Sequence, residues 1–565
     1  MSEVKWTKEQ IQAIEEKGSN ILVAAAAGSG KTAVLVERII HRIIDDKIDI
    51  DKMLVVTFTN AAAAEMRERI LEAIYQKLEQ EPSNTHLQRQ ITLLNKASIC
   101  TIHSFCLDVI HNHFYELDLP SNFRIADTTE IDLLKQEVLD DLFEQKYTEN
   151  DSDFLELLET YTGYRGDEPL QELILSIYRF IQSSPFPEKW LKEKIKLFNI
   201  DKTIDFGETP WGQVVLNEIK QELEDCLLKL KKVQKELAKY PECSKFYQVI
   251  NEDVIQIETT LNQTNLWEQT YQAISQISFT KWPVDKKVTL DIKEEAKEIR
   301  DKVKKNIKEK VASLIDVTSS EIQQDFEIIY PTLQKLENLI LEFSHNFAEN
   351  KKEKNCIDFN DIEHFALKIL LDENGEKTIV AKKYEEKFQE IAIDEYQDSN
   401  LVQEAILTSI SKGNNIFMVG DVKQSIYKFR QARPELFLQK YASYKLKDEL
   451  NKNFIQDNPE EIHLNEQQEN AKQLESKEKL EKQEQAKNDN LKIQLFRNFR
   501  SRNNVLDITN LVFEAIMSKE LGDIDYNENE YLNYGANYPE PEKQEISQVH
   551  LEQKDEKKEI TQTQL

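Results

Sequence analysis

Two short, almost unbroken apolar runs stand near the start of the chain, Asn20–Ala26 (NILVAAA) and Met53–Thr59 (MLVVTFT). Each leads into a pattern of helical period, Lys31–Ile44 and then Ala61–Leu78. Buried strands alternating with helices predict a parallel sheet with crossover helices. Ser98–Ile102 is a third candidate strand. From residue 126 the pattern changes. Asp127–Thr129 offers a helix cap, and Ile131, Leu134, Val138 and Leu142 then recur at helical spacing. Leu216–Ala238 and Ile292–Leu314 continue this pattern, so residues 126–350 read as an all-helical block. Strand patterns return at Phe388–Ile393 (FQEIAI) and Asn415–Val419 (NIFMV). The simplest topology is one α/β domain in two parts, 1–125 and 351–446, interrupted by a helical insertion. Residues 447–490 are rich in Glu, Gln, Lys and Asn and read as a solvated helix or disordered loop. Leu491–Leu495 (LKIQL) reads as a strand opening a further domain over 491–565, which becomes polar from about residue 539.

Composition narrows the classes. The 565 residues include only 12 Gly and 13 Pro, which argues against a turn-rich all-β protein. No apolar run approaches the roughly 20 residues that span a bilayer, and MSEVKWTKEQ lacks the basic-then-apolar form of a signal peptide. The five cysteines, Cys100, Cys106, Cys226, Cys243 and Cys356, form no CxxC pair. They point away from zinc and iron–sulfur sites and towards a reducing cytoplasm. A net charge of −30 on its face disfavours a nucleic-acid partner. Yet residues 1–125 carry 14 Lys/Arg against 17 Asp/Glu, so most of the excess lies elsewhere. A net figure describes the long-range field, not a local groove.

Four segments carry candidate chemistry. Ala24–Thr32 (AAAAGSGKT) matches the phosphate-binding loop template from Ala25, with Ala in place of its first Gly. Backbone N–H groups over Ala25, Ala26, Ala27, Gly28, Ser29 and Gly30 would wrap phosphates at a helix N-terminus. Lys31 would reach the β- and γ-phosphates of ATP, and the Thr32 hydroxyl would ligate Mg²⁺. Ile391–Asp398 (IAIDEYQD) sets Asp394 and Glu395 at a strand's C-terminal end, Asp394 to hold Mg²⁺ and Glu395 to polarise the attacking water. By itself an acidic pair equally fits a solvated charge run; beside the phosphate loop it gains meaning. In Val419–Phe437 (VGDVKQSIYKFRQARPELF), Gln424 follows a strand end, where a side chain senses a γ-phosphate. Tyr427 and Phe429 interleave with Lys428 and Arg430, the mixture of stacking platform and cation that holds single strands. A buried amphipathic edge is the other reading of that stretch. Arg497–Arg502 (RNFRSR) holds three arginines that would serve as an arginine finger or as a basic surface loop.

Together, and in this order, the segments resemble superfamily 1 helicases of the UvrD/Rep/RecB type. Trp6–Gln10 is similar to the Q motif, Thr57–Arg69 (TFTNAAAAEMRER) to motif Ia and Thr101–Phe105 (TIHSF) to motif Ib. Ile357–Glu363 (IDFNDIE) resembles the segment leading back into the first motor domain. DEYQD, GDVKQSIYKFR and NFRSR resemble motifs II, III and IV. Within that family the likeness is to AddA-type helicase/nuclease subunits, carried also by LGDIDYNENEYLNYGANYP.

The resemblance implies a RecA-like motor domain, ATP with Mg²⁺, 3′→5′ movement on DNA, and processing of double-strand DNA ends for recombinational repair. It also implies an AddB-like partner in a heterodimer, and a bacterial cytoplasmic location. By the same likeness Lys31, Thr32, Asp394 and Glu395 form the hydrolysis core. Gln424 and Arg500 meet the γ-phosphate, Gln10 reads adenine and Phe499 stacks on it. Phe58, Asn60, His103, Tyr427, Phe429 and Arg430 contact DNA.

Three departures qualify the expectation. Ala33 follows the loop threonine where many relatives have Arg. Residues 447–490 look like an insertion between motifs III and IV. No motif V or VI and no nuclease signature follows motif IV, so the chain is expected to bind ATP weakly, hydrolyse it slowly and not unwind DNA alone. The alternative is an ATP-binding, DNA-tethering or complex-assembly fragment. A small-molecule kinase leaves the TFTN and aromatic–basic segments unexplained.

Overall fold

The apolar runs form strands because both faces of each are covered. In the computed structural model, Ile21–Ala25 (β1), Met53–Thr57 (β2), Ser98–Thr101 (β3), Glu390–Ile393 (β4), Ile416–Gly420 (β5), Lys445–Leu446 (β6) and Leu491–Leu495 (β7) form one sheet. Its order is β3-β2-β4-β5-β1-β7-β6, and every pairing is parallel. Alternate strand residues face opposite sides. Leu22, Leu54, Val56, Ile391, Ile393 and Met418 enter one core with the helices Ile102–His113 and Phe359–Leu370. Ile21, Val23, Val55, Ala392, Phe417 and Val419 enter the other with Lys31–Ile44 and Asn60–Gln80. A sheet buried on both sides requires near-continuous apolar strands, which is what these segments are.

The described residues are 6–117, 119–162, 166–284, 291–427, 431–446, 490–522, 524–528, 530–536 and 538. Two compact units divide them. The sheet unit comprises residues up to 136, 182–185 and those from 347 onward. The second comprises 137–181 and 186–346. Its described secondary structure is helical, with Pro210–Leu237 and Ser244–Leu261 as its longest uninterrupted members. Leu223, Leu230, Phe246, Ile250 and Ile257 form the core of this unit. Inside it the buried Arg300 donates through Nε to Asp253 Oδ2 at 2.5 Å and through Nη2 to the Thr280 carbonyl at 2.8 Å. The pattern expected over Ile292–Leu314 is a helix Asp291–Lys305 followed by a π-helical stretch, Asn306–Val311. Asp127 does act as a cap, accepting from the Glu130 N–H at 2.9 Å.

One expectation is corrected. Leu491–Leu495 does not begin a separate sheet; it lies beside β1 with Ile21 opposite Leu491 and Ala25 opposite Leu495. Its alternation buries Leu491, Ile493 and Leu495 in the core that holds Val23 and Ala25. Period-two alternation identifies a half-buried strand but not its partner. The partner is set by the ladder groups that β1 leaves open on that side, which must be hydrogen-bonded when buried. The residues over 447–489 and 539–565, expected to be polar, lie outside the described residues.

Candidate active site

The sheet's parallel order brings the C-terminal ends of β1, β2, β3, β4 and β5 to one edge, where ligands of open α/β sheets bind. β1 runs into the loop Ala26–Gly30, and Lys31–Ile44 (α1) starts directly after it. Gly28 (φ 71°) and Gly30 (φ 85°) take left-handed backbone that L side chains rarely adopt. Gly30 is the N-cap of α1 and supplies no side-chain cap, so the first-turn N–H groups keep their donors. The Ser29 hydroxyl is buried and has no hydrogen-bond partner. An orphaned hydroxyl, uncapped N–H groups and a lysine together suit a polyphosphate.

Lys31 Nζ lies 3.0 Å from Glu395 Oε2. Glu395 holds left-handed backbone (φ 52°), which lets the chain turn sharply off β4. Beside it, burial and then the Glu395 charge push the Asp394 carboxyl up to about 6. The same two causes raise Asp398 to about 6. Three carboxyls thus crowd around one lysine, and a divalent cation would relieve that repulsion. Thr32 and Asp394 are hard oxygen donors of the kind Mg²⁺ takes. Gln424 donates to Asp421 Oδ2 at 2.8 Å, just past β5.

The turn after β7 packs onto the phosphate loop. Asn498 Nδ2 donates to the Ala27 carbonyl at 2.7 Å, and the Phe499 N–H donates to the Gly28 carbonyl at 2.8 Å. A Cβ on Gly28 would sit 2.8 Å from Asn498 Nδ2 and 2.9 Å from Arg500 Cβ, so only glycine admits this crossing. Arg500 is exposed there, while the Phe499 ring lies against Gly535. Gln10, expected to read adenine, is 5% exposed and already engaged at both ends. Its Oε1 accepts from the Thr7 N–H at 2.9 Å and its Nε2 donates to the Ser29 carbonyl at 3.0 Å.

The expected DNA-facing residues follow β2, β3 and β5. Phe58 is 44% exposed and stacks on Tyr427, with centroids 5.0 Å apart and planes at 28°. Asn60 is exposed at the start of its helix. His103 lies 3.4 Å from Glu363 and edge-on to Phe359, which is 58% exposed. Lys428, Phe429 and Arg430 lie outside the described residues.

The sequence model of the UvrD/REP helicase N-terminal domain matches residues 6–445. The chain belongs to the UvrD/REP helicase family. It is also similar to bacterial proteins whose names describe one component of an ATP-dependent helicase/nuclease. Identity is 44% with that of Clostridioides difficile (strain 630), covering 99% of this chain and 42% of the relative. It is 43% with that of Acetivibrio thermocellus, covering 97% and 42%. It is 44% with that of Thermoanaerobacter sp. (strain X514), covering 97% and 43%. The chain therefore spans well under half the length of these curated relatives.

As a UvrD/REP helicase domain, the sheet unit brings Lys31, Thr32, Asp394, Glu395, Gln424 and Arg500 to a single edge. Sequence reasoning missed Asn498, Gln397 and Phe359. Phe359 had a signal: a large apolar residue beside the helix-capping Asp358, where a buried face has not yet begun. Sequence reasoning also missed the buried cluster at the opposite sheet edge. There Glu390 accepts from Arg38 (2.7 and 3.0 Å) and from Arg42 (2.7 Å). Arg38 also lies 4.2 Å over the Phe417 ring.

Proposed function

We propose that the chain is the ATP-hydrolysing motor portion of a DNA helicase that works within a helicase–nuclease complex on double-strand DNA ends. The observation that carries this is the shared edge: phosphate loop, acidic pair and exposed aromatics follow neighbouring strands of one sheet. Lys31 would leave Glu395 for the β- and γ-phosphates of ATP, and Glu395, freed, would take the proton of the attacking water. The P–O bond to the β-phosphate then breaks as the new one forms, and ADP and phosphate leave. Thr32 and Asp394 would hold Mg²⁺, which neutralises phosphate charge when bound. Gln424 and Arg500 would meet the γ-phosphate, Phe499 the adenine, and Gln10 would hold the loop through Ser29 beside its adenine role. Phe58, Tyr427 and His103, with Asn60, Phe429 and Arg430, would carry single-stranded DNA by stacking and phosphate contact. Phe359 joins them as a further exposed ring.

An AddB-like partner, 3′→5′ movement and a bacterial cytoplasmic setting come from the relatives' character. Among the described residues no helix is long and apolar enough to cross a membrane. The 42% span of the relatives supports a second reading, an ATP-binding and DNA-tethering module without motor or nuclease activity of its own. Steady-state ATP hydrolysis with and without single-stranded DNA, beside Lys31→Ala, separates the two. Stimulation that vanishes in the variant supports the motor. Lys31-dependent binding of ATP without turnover supports the tether. Turnover indifferent to Lys31 refutes both.

A further inference from the structure

Gln397 lies between the two halves of the hydrolysis machinery and has been given no part in it. Its side chain is 2% exposed. Nε2 donates to Glu395 Oε2 at 2.8 Å, the same oxygen that takes Lys31. Oε1 accepts from the Asp421 N–H at 3.0 Å. A carboxylate at one end and an N–H at the other leave the amide one workable orientation, and no other side chain of that length supplies both a donor and an acceptor. Asp421 in turn accepts from Gln424 at 2.8 Å, and its own N–H is the one Gln397 holds. The path Glu395–Gln397–Asp421–Gln424 therefore runs unbroken from the end of β4 to the turn after β5.

A second, independent feature keeps that path open. Gly420 ends β5 at an ordinary backbone conformation, so its φ does not demand glycine. Space does: an added Cβ would strike Gln397 Oε1 and would sit 3.1 Å from Phe437 Cε2. The missing side chain at 420 is the slot through which the Gln397 amide reaches Asp421.

We propose that Gln397 is a positioning residue for hydrolysis, fixing the Glu395 carboxylate and the Gln424 amide in one frame so that water activation and γ-phosphate contact are registered to each other. This rests on the motor reading above. Gln397 touches neither nucleotide nor water; it acts through Glu395 and Asp421. Lys31 and the loop backbone do not depend on it, so nucleotide binding is spared while turnover suffers.

The test is DNA-stimulated ATP hydrolysis by the whole protein, with kcat and KM separated, for the parent, Lys31→Ala, Gln397→Leu, Gly420→Ala and Gln397→Ala/Gly420→Ala. Thermal melts of each check folding. The expected result for Gln397→Leu is a fall in kcat of about 10-fold or more with KM for ATP within about 3-fold. Gly420→Ala reproduces that split. The double variant is no worse than Gln397→Ala alone, because the shortened side chain leaves nothing for the new methyl to displace. A Gln397→Leu enzyme with parental kcat overturns the proposal, as does a defect confined to KM. Additive losses in the double variant overturn the slot. If a variant melts early, fluorescent-nucleotide affinity decides: parental affinity with low turnover upholds positioning, and lost affinity overturns it. Failure of the motor reading looks different, because the parent itself then shows no Lys31-dependent turnover, and the proposal falls with it.

Discussion

Replacing Asp394 by Asn removes a carboxylate that the fold holds at neutral pH against both burial and the neighbouring Glu395 charge. The carboxyl stands at about 6 against an ordinary 3.8. At 1.36 kcal/mol per unit, ionising it in the folded state costs about 3 kcal/mol more than in the unfolded chain. Because the folded value is raised, the cost is absent below about pH 3.8, builds as pH rises towards 6 and is constant above. Asn keeps the oxygen that accepts from the Glu395 N–H at 3.2 Å, so little packing is lost. The variant should therefore be more stable than the parent by about 3 kcal/mol at pH 7.5 and by only about 1 kcal/mol at pH 4.5. For a cooperative unit of roughly 300 residues, about 3 kcal/mol corresponds to a rise of about 5 °C in Tm. The assay is thermal unfolding in EDTA at pH 4.5, 6.0 and 7.5, following the transition that Lys31-dependent nucleotide binding shifts. Mg²⁺-dependent ATP turnover should be lost in the same variant, as stability stored against function requires. Equal Tm values at pH 7.5, or a gain that grows towards acid, would refute the electrostatic account.

At the opposite sheet edge, Glu390→Gln leaves Arg38 and Arg42 buried without their shared carboxylate and should cost about 3–5 kcal/mol, read as an early melt. Gly28→Ala places a methyl against Asn498 and Arg500 at a left-handed φ, so nucleotide affinity and stability should both fall, the latter by about 1–3 kcal/mol. Isothermal titration with ATP and a melt check both. Phe58→Ala should weaken single-strand binding by about 1–3 kcal/mol while leaving ATP affinity unchanged, measured by fluorescence anisotropy of a labelled oligonucleotide. Unchanged DNA affinity would remove the Phe58–Tyr427 stack from the DNA path.

Much of the motor was legible in the sequence because its parts are local. An apolar strand followed by glycines, a lysine and a threonine is a complete instruction for a phosphate loop, since backbone N–H groups do most of the work over a few residues. Strand-then-acid, strand-then-glutamine and the helical periodicity of the insertion are equally short-range. What the pattern of residues could not say was which strands pair. LKIQL alternates as an edge strand does, yet only the assembled sheet puts it against β1 and thereby lays Asn498, Phe499 and Arg500 across the phosphate loop. The engagement of Gln10 at both ends, the bridge made by Gln397 and the clamp of Arg38 and Arg42 on Glu390 join residues 19, 24 and more than 340 positions apart. Composition fixes the kinds of group available within a few residues, but which buried donor meets which acceptor across such distances is decided by the three-dimensional packing that must satisfy them all at once.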